Sequence, residues 1–220
     1  MKELMFNTFS ITARCKETGQ LGIAVSTARP CVGSLVPHIL PNIGAVATQA
    51  QVNPYFGIDG IRYLQEGKTA QEVLEALQND DEDYHLRQVA IVDAQGNAVA
   101  FTGDNTVPWA GHYVGDQFAI AGNMLVGEDT IQAMAESFSA SEGGFLPKRL
   151  LDALIAGQLA GGDKRGKQSA ALYVVDKEAY PLCDIRADEH QDPVTELKRI
   201  YEIWEDQLFP YLQAAPKKYS

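Results

Sequence analysis

The sequence predicts an α+β fold built mainly from antiparallel strands, and three observations lead to that prediction. Apolar and hydroxyl residues alternate over residues 8–13, which is the period of a strand with one apolar face. A turn signal at 16–19 leads into a second strand at 21–26, so these two strands form a hairpin. Helical patterns then come in pairs between groups of strands, which argues against βαβ units and a parallel sheet. This order fits two packed sheets with helices outside them.

The other elements follow from the same patterns in chain order. Strand patterns cover 43–50, 87–93, 97–102, 117–121 and 169–175. A Gly-containing turn at 94–96 joins two of these strands into a second hairpin. Helical patterns cover 56–66, 129–139 and 147–160. A further helix begins at the capping box Thr69-x-x-Glu72, and the last one runs from Asp192-Pro193 to Pro210. We expect one domain over 8–210, with an N-terminal extension at 1–7 and a C-terminal tail at 211–220.

Composition excludes several classes of function. The chain has 220 residues with 18 basic and 29 acidic side chains, a net charge of −11, which disfavours binding to nucleic acid or to anionic lipid. No apolar run approaches the roughly 18 residues of a membrane span, and the N-terminus lacks the apolar core of a signal peptide. The three cysteines are far apart and form no C-x-x-C motif. The sequence therefore predicts a soluble cytoplasmic protein without a disulfide framework.

The first strand carries a row of hydroxyl side chains. Thr8, Ser10 and Thr12 point to one face, and the hairpin partner ends in Ser26-Thr27. One interpretation is a solvent-facing strand edge, because threonine favours strands in any case. The other is that Thr8, Ser10 and Ser26 line a catalytic or binding site.

A glycine-rich loop at 161–169 is the second candidate. It contains Asp163, Arg165 and Ser169 among three glycines and two lysines. Glycine lets the backbone approach a ligand closely, and its amides can hold an anion. Since an exposed basic turn explains the same composition, we expect the loop to rim a cleft or to face solvent. It fails the P-loop pattern because Gln168 follows Gly166-Lys167.

The exit of the strand at 117–121 is the third candidate. Gly122 and Asn123 follow it, and their backbone and side-chain amides could stabilise an oxyanion. An ordinary strand-exit turn accounts for the same two residues equally well.

Histidine and arginine positions complete the candidates. His112 lies in a Gly- and Trp-containing turn that could line a pocket. The acid-rich segment 186–192 contains His190, but no second histidine lies nearby, so we expect no metal site and no cofactor. Arg14, Arg29 and Arg186 are further candidates for the rim of a cleft.

Several segments, taken together, resemble one known family. They are TFSITAR, GQLGIAVSTA, AVATQAQVNPYFGIDG, PWAGH, AGNML, GGDKRGKQSAAL and DEHQDPVTEL, in this order. The chain is similar from about Thr8 to about Leu208 to an uncharacterised bacterial family grouped with the N-terminal nucleophile (Ntn) hydrolases. The resemblance implies the four-layer αββα sandwich of two mainly antiparallel sheets with helices outside.

The resemblance also implies a catalytic chemistry. Ntn hydrolases begin with Thr, Ser or Cys, whose side chain attacks an amide while the free α-amine acts as the base. An α-amine suits this role because its pKa is about 7.7–8.0. Many members of the family begin Met-Thr-Phe-Ser, and the corresponding threonine here is Thr8. Comparison with proteasome-type members implies supporting roles for Asp163, Ser169 and the Gly122-Asn123 turn.

This chain departs from the family pattern in three ways. Seven residues precede Thr8, so a free amine requires cleavage between Asn7 and Thr8. The acidic residue expected at the end of the second strand is replaced by Ser26, and no lysine matches the one kept beside the nucleophile. Two hypotheses follow: an amidohydrolase or peptidase that uses Thr8 after processing, or a non-catalytic Ntn-fold protein that binds a small ligand or a protein partner.

The predicted partners are a small-molecule or peptide-like ligand and, for a homo-oligomer, a second copy of the chain. The aromatic residues Trp109, Tyr201 and Trp204 could serve a partner surface.

Overall fold

Two antiparallel sheets with helices on their outer faces form the computed structural model, which describes residues 5–6 and 8–219. The strands are β1 (Met5–Phe6), β2 (Thr8–Arg14), β3 (Leu21–Thr27), β4 (Pro37–Leu40), β5 (Gly44–Gln51), β6 (Arg87–Asp93), β7 (Ala98–Thr102), β8 (Gly111–Gly115), β9 (Phe118–Gly122), β10 (Ser169–Val175) and β11 (Pro181–Ala187). The helices are α1 (Pro54–Gln65), α2 (Ala70–Asn79), α3 (Asp129–Ala140), α4 (Leu146–Leu159), α5 (Pro193–Ile203) and α6 (Phe209–Ala214). The α+β prediction is confirmed.

The two sheets differ in how they are built. The first sheet has the order β1-β5-β6-β7, with β4 also pairing with β5. The second sheet has the order β11-β10-β3-β2-β9-β8. The predicted hairpin of β2 and β3 therefore lies in the middle of the second sheet. Both edges of β2 are hydrogen-bonded, to β3 and to β9.

Apolar packing fixes the four layers. The outer face of the first sheet packs on α1 and α2, and its cluster includes Val46, Ile91, Phe56 and Val73. The outer face of the second sheet packs on α3 and α4, and its cluster includes Phe9, Ile11, Met134 and Leu150. Between the sheets lie smaller side chains, among them Val25, Ala45, Ala90 and Ala121. The layer order is therefore helix, sheet, sheet, helix, as the sequence predicts.

Four strands were not predicted: β1, a two-residue strand within the predicted N-terminal extension, and β4, β8 and β11. β4 and β8 are short edge strands, and β8 contains two glycines, which lowers its strand signal. The turn predicted around His112 is wrong, because this residue lies in β8. β11 contains Asp184 and Arg186, which alternate with buried residues at the edge of the second sheet. This alternation covers only residues 183–187, and pairing with β10 extends the strand to Pro181.

Helix starts match the expected signals in part. Thr69 and Glu72 form the complete capping box at the start of α2. Asp192 is the N-cap residue of α5, but its side chain makes no capping hydrogen bond and instead pairs with Lys167 at 2.6 Å.

Two of the aromatic residues considered for a partner surface belong to the core. Tyr201 and Trp204 are 1% and 4% exposed, and their rings pack together at 5.4 Å between centroids. The expectation that they serve a partner surface is therefore wrong. Trp109 is half-buried and packs against the same cluster.

The structure describes two residues of the predicted N-terminal extension and most of the predicted C-terminal tail. Of the predicted extension, residues 1–4 and 7 lie outside the described part, while Met5 and Phe6 pair with Gln51 and Ala50 of β5. α6 continues across residue 210, and the backbone N–H groups of Lys218 and Tyr219 donate to Glu178. None of the described helices has the length and apolarity to cross a membrane.

Candidate functional site

The hydroxyl row of β2 faces the first sheet and is buried. Thr8, Ser10 and Thr12 are each 0% exposed, and β2 has a hydrogen-bonded strand on either side. The interpretation of these hydroxyls as a solvent-facing edge is therefore wrong. The sequence pattern has the right period, but a second sheet covers the polar face instead of water.

A chain of neutral amides crosses from one sheet to the other beside this row. Ser10 Oγ donates to Gln49 Oε1 at 2.7 Å, and Gln49 Nε2 donates to Gln88 Oε1 at 2.7 Å. The same oxygen of Gln88 accepts from Asn123 Nδ2 at 3.0 Å. Both glutamines are fully buried, and Asn123 is 1% exposed. Buried polar groups are stable only when they are hydrogen-bonded, and these four side chains satisfy one another.

The network continues to the edge of the second sheet through Gln88. Its Nε2 donates to the carbonyl of Gly122 at 2.9 Å and to Thr102 Oγ1 at 2.8 Å. Thr102 Oγ1 in turn lies 2.9 Å from His112 Nδ1. His112 lies on the exposed edge strand β8, and partial desolvation of its ring lowers its pKa, which favours the neutral imidazole at pH 7. The predicted His112 and Gly122 are thus linked to Ser10 through residues of the first sheet.

Thr8 lies at the end of β2 next to this network. Its carbonyl accepts from the Asn123 backbone N–H at 2.9 Å and from Gln49 Nε2 at 3.4 Å. Its side-chain Oγ1 is buried and has no hydrogen-bond partner among the residues that the structure describes. The backbone of Thr8 is therefore held firmly, while its hydroxyl is unused.

Asp163 and Ser169 organise the backbone around Thr8. Thr8 pairs with Thr27, and Thr27 pairs with Ser169, so the three residues form one row across the second sheet. Ser169 Oγ donates to the Arg29 carbonyl at 2.6 Å and accepts from the Val32 N–H at 3.0 Å. Its hydroxyl holds the segment after β3 in place.

Asp163 fixes the glycine-rich loop to the end of β3. Its carboxylate accepts from the Ala28 N–H at 3.2 Å and forms an ion pair with Arg165 at 2.7 Å. The Asp163 side chain is 1% exposed. Since Ala28 follows Thr27, the loop is anchored one residue from the partner of Thr8. Lys164 Nζ donates to the Pro108 carbonyl at 2.9 Å, so the loop lies over the neighbouring segment rather than free in solvent.

Three of the predicted residues lie elsewhere. Ser26 pairs with Phe9 and shares its face, which packs on the helices and not on the first sheet. Arg186 lies on the edge strand β11, three strands from β2, and its nearest carboxylate is that of Asp188 at 3.8 Å. Arg14 ends β2, about 20 Å from Thr8 at the usual rise of a strand. These three side chains are not brought together with Thr8.

A cavity of about 170 Å³ opens beside Asn123. The described residues that line it are all uncharged: Ala50, Gln51, Leu86, Asn105, Thr106, Val107 and Asn123. Ala50 and Gln51 are also the residues of β5 that pair with β1. The cavity therefore adjoins the path of the chain that leads to Thr8, and it suits a small neutral group.

Sequence reasoning missed the buried glutamines. Gln49 lies beside Thr48 in β5 and Gln88 beside Arg87 in β6, and each glutamine is 0% exposed. A polar side chain inside a buried strand needs a partner, and this signal could have identified both residues. Among the described residues, no group of three or more His, Cys, Asp and Glu is placed to hold a metal ion.

Comparisons with known proteins agree with this architecture. The model of a family of unknown function, DUF1028, matches residues 8–197. Protein SPO2555 from Silicibacter pomeroyi, a crystal structure assigned to the same family, is 32% identical, with a TM-score of 0.85 over 93% of this chain and 92% of that chain. Anbu (ancestral beta-subunit) from Yersinia bercovieri is 13% identical, with a TM-score of 0.40 over 96% of this chain and 100% of that chain, which is too loose to support an argument. No curated protein matches the chain.

Proposed function

The chain belongs to DUF1028, a family of unknown function, and we propose that it is an amide hydrolase whose nucleophile is the Thr8 hydroxyl. Thr8 becomes the N-terminal residue when the bond between Asn7 and Thr8 is cleaved. One observation supports this proposal above all: the Thr8 hydroxyl is buried and unused, while its backbone carbonyl is held by Asn123 and Gln49.

An unused buried hydroxyl is costly for a structure. Leaving such a group without a hydrogen bond costs about 1–3 kcal/mol, so valine would suit a purely structural position better. Ser10, two residues along the same face, is hydrogen-bonded to Gln49. Thr12 Oγ1 on the same face is also without a partner among the described residues, so what distinguishes Thr8 is its place beside Asn123 at the start of β2. This position supports a chemical role for Thr8.

Cleavage at this bond uses the same hydroxyl. Thr8 Oγ attacks the carbonyl carbon of Asn7, the C–N bond breaks, and the Thr8 nitrogen takes up the hydroxyl proton. Water then hydrolyses the resulting ester, which leaves a carboxylate on Asn7 and a free amine on Thr8. Phe6 is paired in the first sheet and Thr8 in the second, so both sides of the bond are anchored by the fold.

The free amine supplies the base that the intact chain lacks. With a pKa of about 7.7–8.0, it can accept the Oγ proton as Oγ attacks a substrate amide. The proton passes to the leaving amine, and water then hydrolyses the acyl ester. Asn123 Nδ2 has a second N–H beyond the one that donates to Gln88, and it is our candidate for stabilising the oxyanion. Asp163 and Ser169 act as positioning residues for the strand ends around Thr8.

The neighbouring cavity supports an uncharged acyl group in the substrate. Side-chain amides, a threonine hydroxyl and small apolar groups line it, and no charged residue of the described part of the chain contributes to it. A neutral small-molecule amide or a peptide-like substrate fits this lining, whereas a carboxylate or an ammonium group would be desolvated there without a counter-charge.

Intact-mass spectrometry tests the proposal directly. We expect the purified wild-type chain to lose residues 1–7 and Thr8→Ala to keep them. Thr12→Ala is the matched control, because Thr12 Oγ1 is also buried without a partner among the described residues. It should be processed like the wild type. An uncut wild-type chain that still hydrolyses N-acyl amides would contradict the free-amine mechanism.

A second candidate function is non-catalytic binding of a small neutral ligand. The observation that favours it is the Gln49–Gln88–Asn123 network, which carries no titratable group. In that case the uncut chain binds small amides such as acetamide. Asn123→Leu should abolish that binding while Thr8→Val preserves it, as measured by ligand-detected NMR.

A further inference from the structure

A second cleft lies at the opposite end of β2, around Arg14. It has a volume of about 150 Å³ and is lined on its basic side by Arg14, Lys16 and Arg149. Tyr113, Phe118 and Phe138 supply aromatic surface. The seven residues of β2 separate this cleft from Thr8. The proposed amide hydrolysis makes no use of it.

The arginines of this cleft differ from the others in the chain. Five of the eight arginines have a carboxylate within 4.0 Å: Arg62, Arg87, Arg165, Arg186 and Arg199. Arg14, Arg29 and Arg149 have no such partner in the described part of the chain. Two of these three border the same cleft, and Arg29 does not.

Arg149 is the more buried of the two. It is 7% exposed, and its guanidinium carbon lies 4.0 Å from the centre of the Phe138 ring. Nη2 donates to the Phe138 carbonyl at 3.1 Å and Nε to Ser141 Oγ at 3.4 Å. Nη1 has no hydrogen bond to any residue that the structure describes. A buried guanidinium without a carboxylate is costly, and an anion in the cleft would compensate that cost.

Arg14 presents a second unused donor. Its Nη1 donates to Gln117 Oε1 at 2.8 Å, while its buried Nε has no partner within the described chain. A guanidinium group can hold a carboxylate through two parallel N–H···O bonds, and both arginines border this cleft.

The acidic residues at the rim of the cleft favour a singly charged anion over a doubly charged one. Glu17, Asp116 and Glu142 also line the cleft, so a doubly charged anion such as phosphate meets more repulsion than a single carboxylate. Glu17 accepts from Cys15 Sγ at 3.2 Å, and Asp116 lies 3.9 Å from Lys16. The negative charges of Glu17 and Glu142 partly stabilise the Arg149 guanidinium, although neither carboxylate lies within 4.0 Å of it in the described chain.

We propose that this cleft binds a small monocarboxylate whose short apolar body packs on the aromatic side chains. The cleft volume of about 150 Å³ is that of about five water molecules in the liquid. This volume suits an acid with a short alkyl chain. Arg149 and Arg14 hold the carboxylate, while Phe118, Phe138 and Tyr113 contact the alkyl part.

Thermal unfolding at constant ionic strength tests this proposal with butyrate as the probe. Butyrate should raise the Tm of the wild type in a saturable way, and butyramide, which has the same shape without the charge, should not. Arg14→Gln should raise the Kd for butyrate at least tenfold. Arg29→Gln is the matched control, because it removes an equally unpaired positive charge outside the cleft, and it should leave the Kd within twofold.

Arg149→Lys provides the second variant, and it keeps the charge while removing the bidentate geometry. It should weaken binding at least threefold while the variant remains folded by circular dichroism. The proposal is overturned if butyrate gives no saturable shift, if Arg29→Gln weakens binding as much as Arg14→Gln, or if phosphate binds more tightly than butyrate.

Discussion

The two ends of β2 hold polar groups in opposite ways. Around Thr8, neutral hydroxyls and amides are completely buried and hydrogen-bonded between two sheets. Around Arg14, charged groups border a cleft that remains open to solvent. The same strand, with the same alternation, thus supports a dry neutral site at one end and a wet charged site at the other.

The difference shows how burial selects the type of polar group. Amides cost less to desolvate than ions, and each amide can both donate and accept, so Gln49, Gln88 and Asn123 can satisfy one another without water. The arginine side chain only donates hydrogen bonds. In the described chain no carboxylate lies within 4 Å of the Arg149 guanidinium, which donates to the Phe138 carbonyl instead. The neutral end should therefore depend strongly on each of its members, and the charged end only weakly.

Removing the central amide should have the largest effect. Gln88→Leu removes the hydrogen bonds that Gln88 makes to the buried amides of Gln49 and Asn123 and to the carbonyl of Gly122, so we expect it to lower the free energy of unfolding by about 3 kcal/mol or more. Urea denaturation measures this change. Gln71→Leu is the control, because Gln71 is exposed on α2 and should change stability by less than about 0.5 kcal/mol.

Removing the buried charge at the other end should cost less. Arg149→Met loses the hydrogen bond to the Phe138 carbonyl but also removes a desolvated charge, whose burial lowers the pKa of Arg149. These two effects oppose each other, so we expect a loss of about 1 kcal/mol in the same urea experiment. A loss as large as that of Gln88→Leu would contradict the contrast between the two ends.

Lowering the pH should destabilise the fold through His112 before the carboxylates become protonated. The pKa of His112 in the folded chain lies below its usual value of 6.5, so the unfolded state binds the proton first as pH falls. The stability that the neutral imidazole contributes is present above the unfolded-state pKa of about 6.5 and should decline as the pH falls below that value. Thermal unfolding of His112→Gln should show a shallower decline than the wild type. Burial also lowers the pKa of His38, so His38→Gln measures the other histidine contribution.

Replacing Thr8 should cost no stability. Thr8→Val removes a buried hydroxyl without a partner among the described residues and keeps the shape, so the free energy of unfolding should rise by about 1 kcal/mol. Ser10→Ala, which breaks the bond to Gln49, should cost about 1–2 kcal/mol and serves as the comparison. A large loss for Thr8→Val would indicate that its hydroxyl has a structural partner.

Much of the fold follows from local pattern. The alternation in β2 and β3, the capping box at Thr69 and the helical spacing of α3 and α4 predict those elements within a few residues. β8 and β11 escape prediction because they are edge strands with glycine or charged residues, and pairing with β9 and β10 determines their conformation.

The candidate site follows from the sequence less completely. Thr8, Ser10 and Asn123 are recognisable from their residue types and positions on strands. Gln49 and Gln88 are 39 residues apart, and Gln88 and Asn123 are 35 apart, so no local pattern relates them. Only the packing of one sheet on the other brings their amides within hydrogen-bonding distance.

The sequence by itself determined that β2 has one apolar and one polar face, because strand geometry places alternate side chains on opposite sides. It did not determine what covers the polar face. The tertiary structure decided that, by placing the first sheet over Thr8 and Ser10 and leaving the region of Arg14 open. Local periodicity depends on neighbours two residues apart, whereas the choice between water and a second sheet depends on contacts between distant parts of the chain.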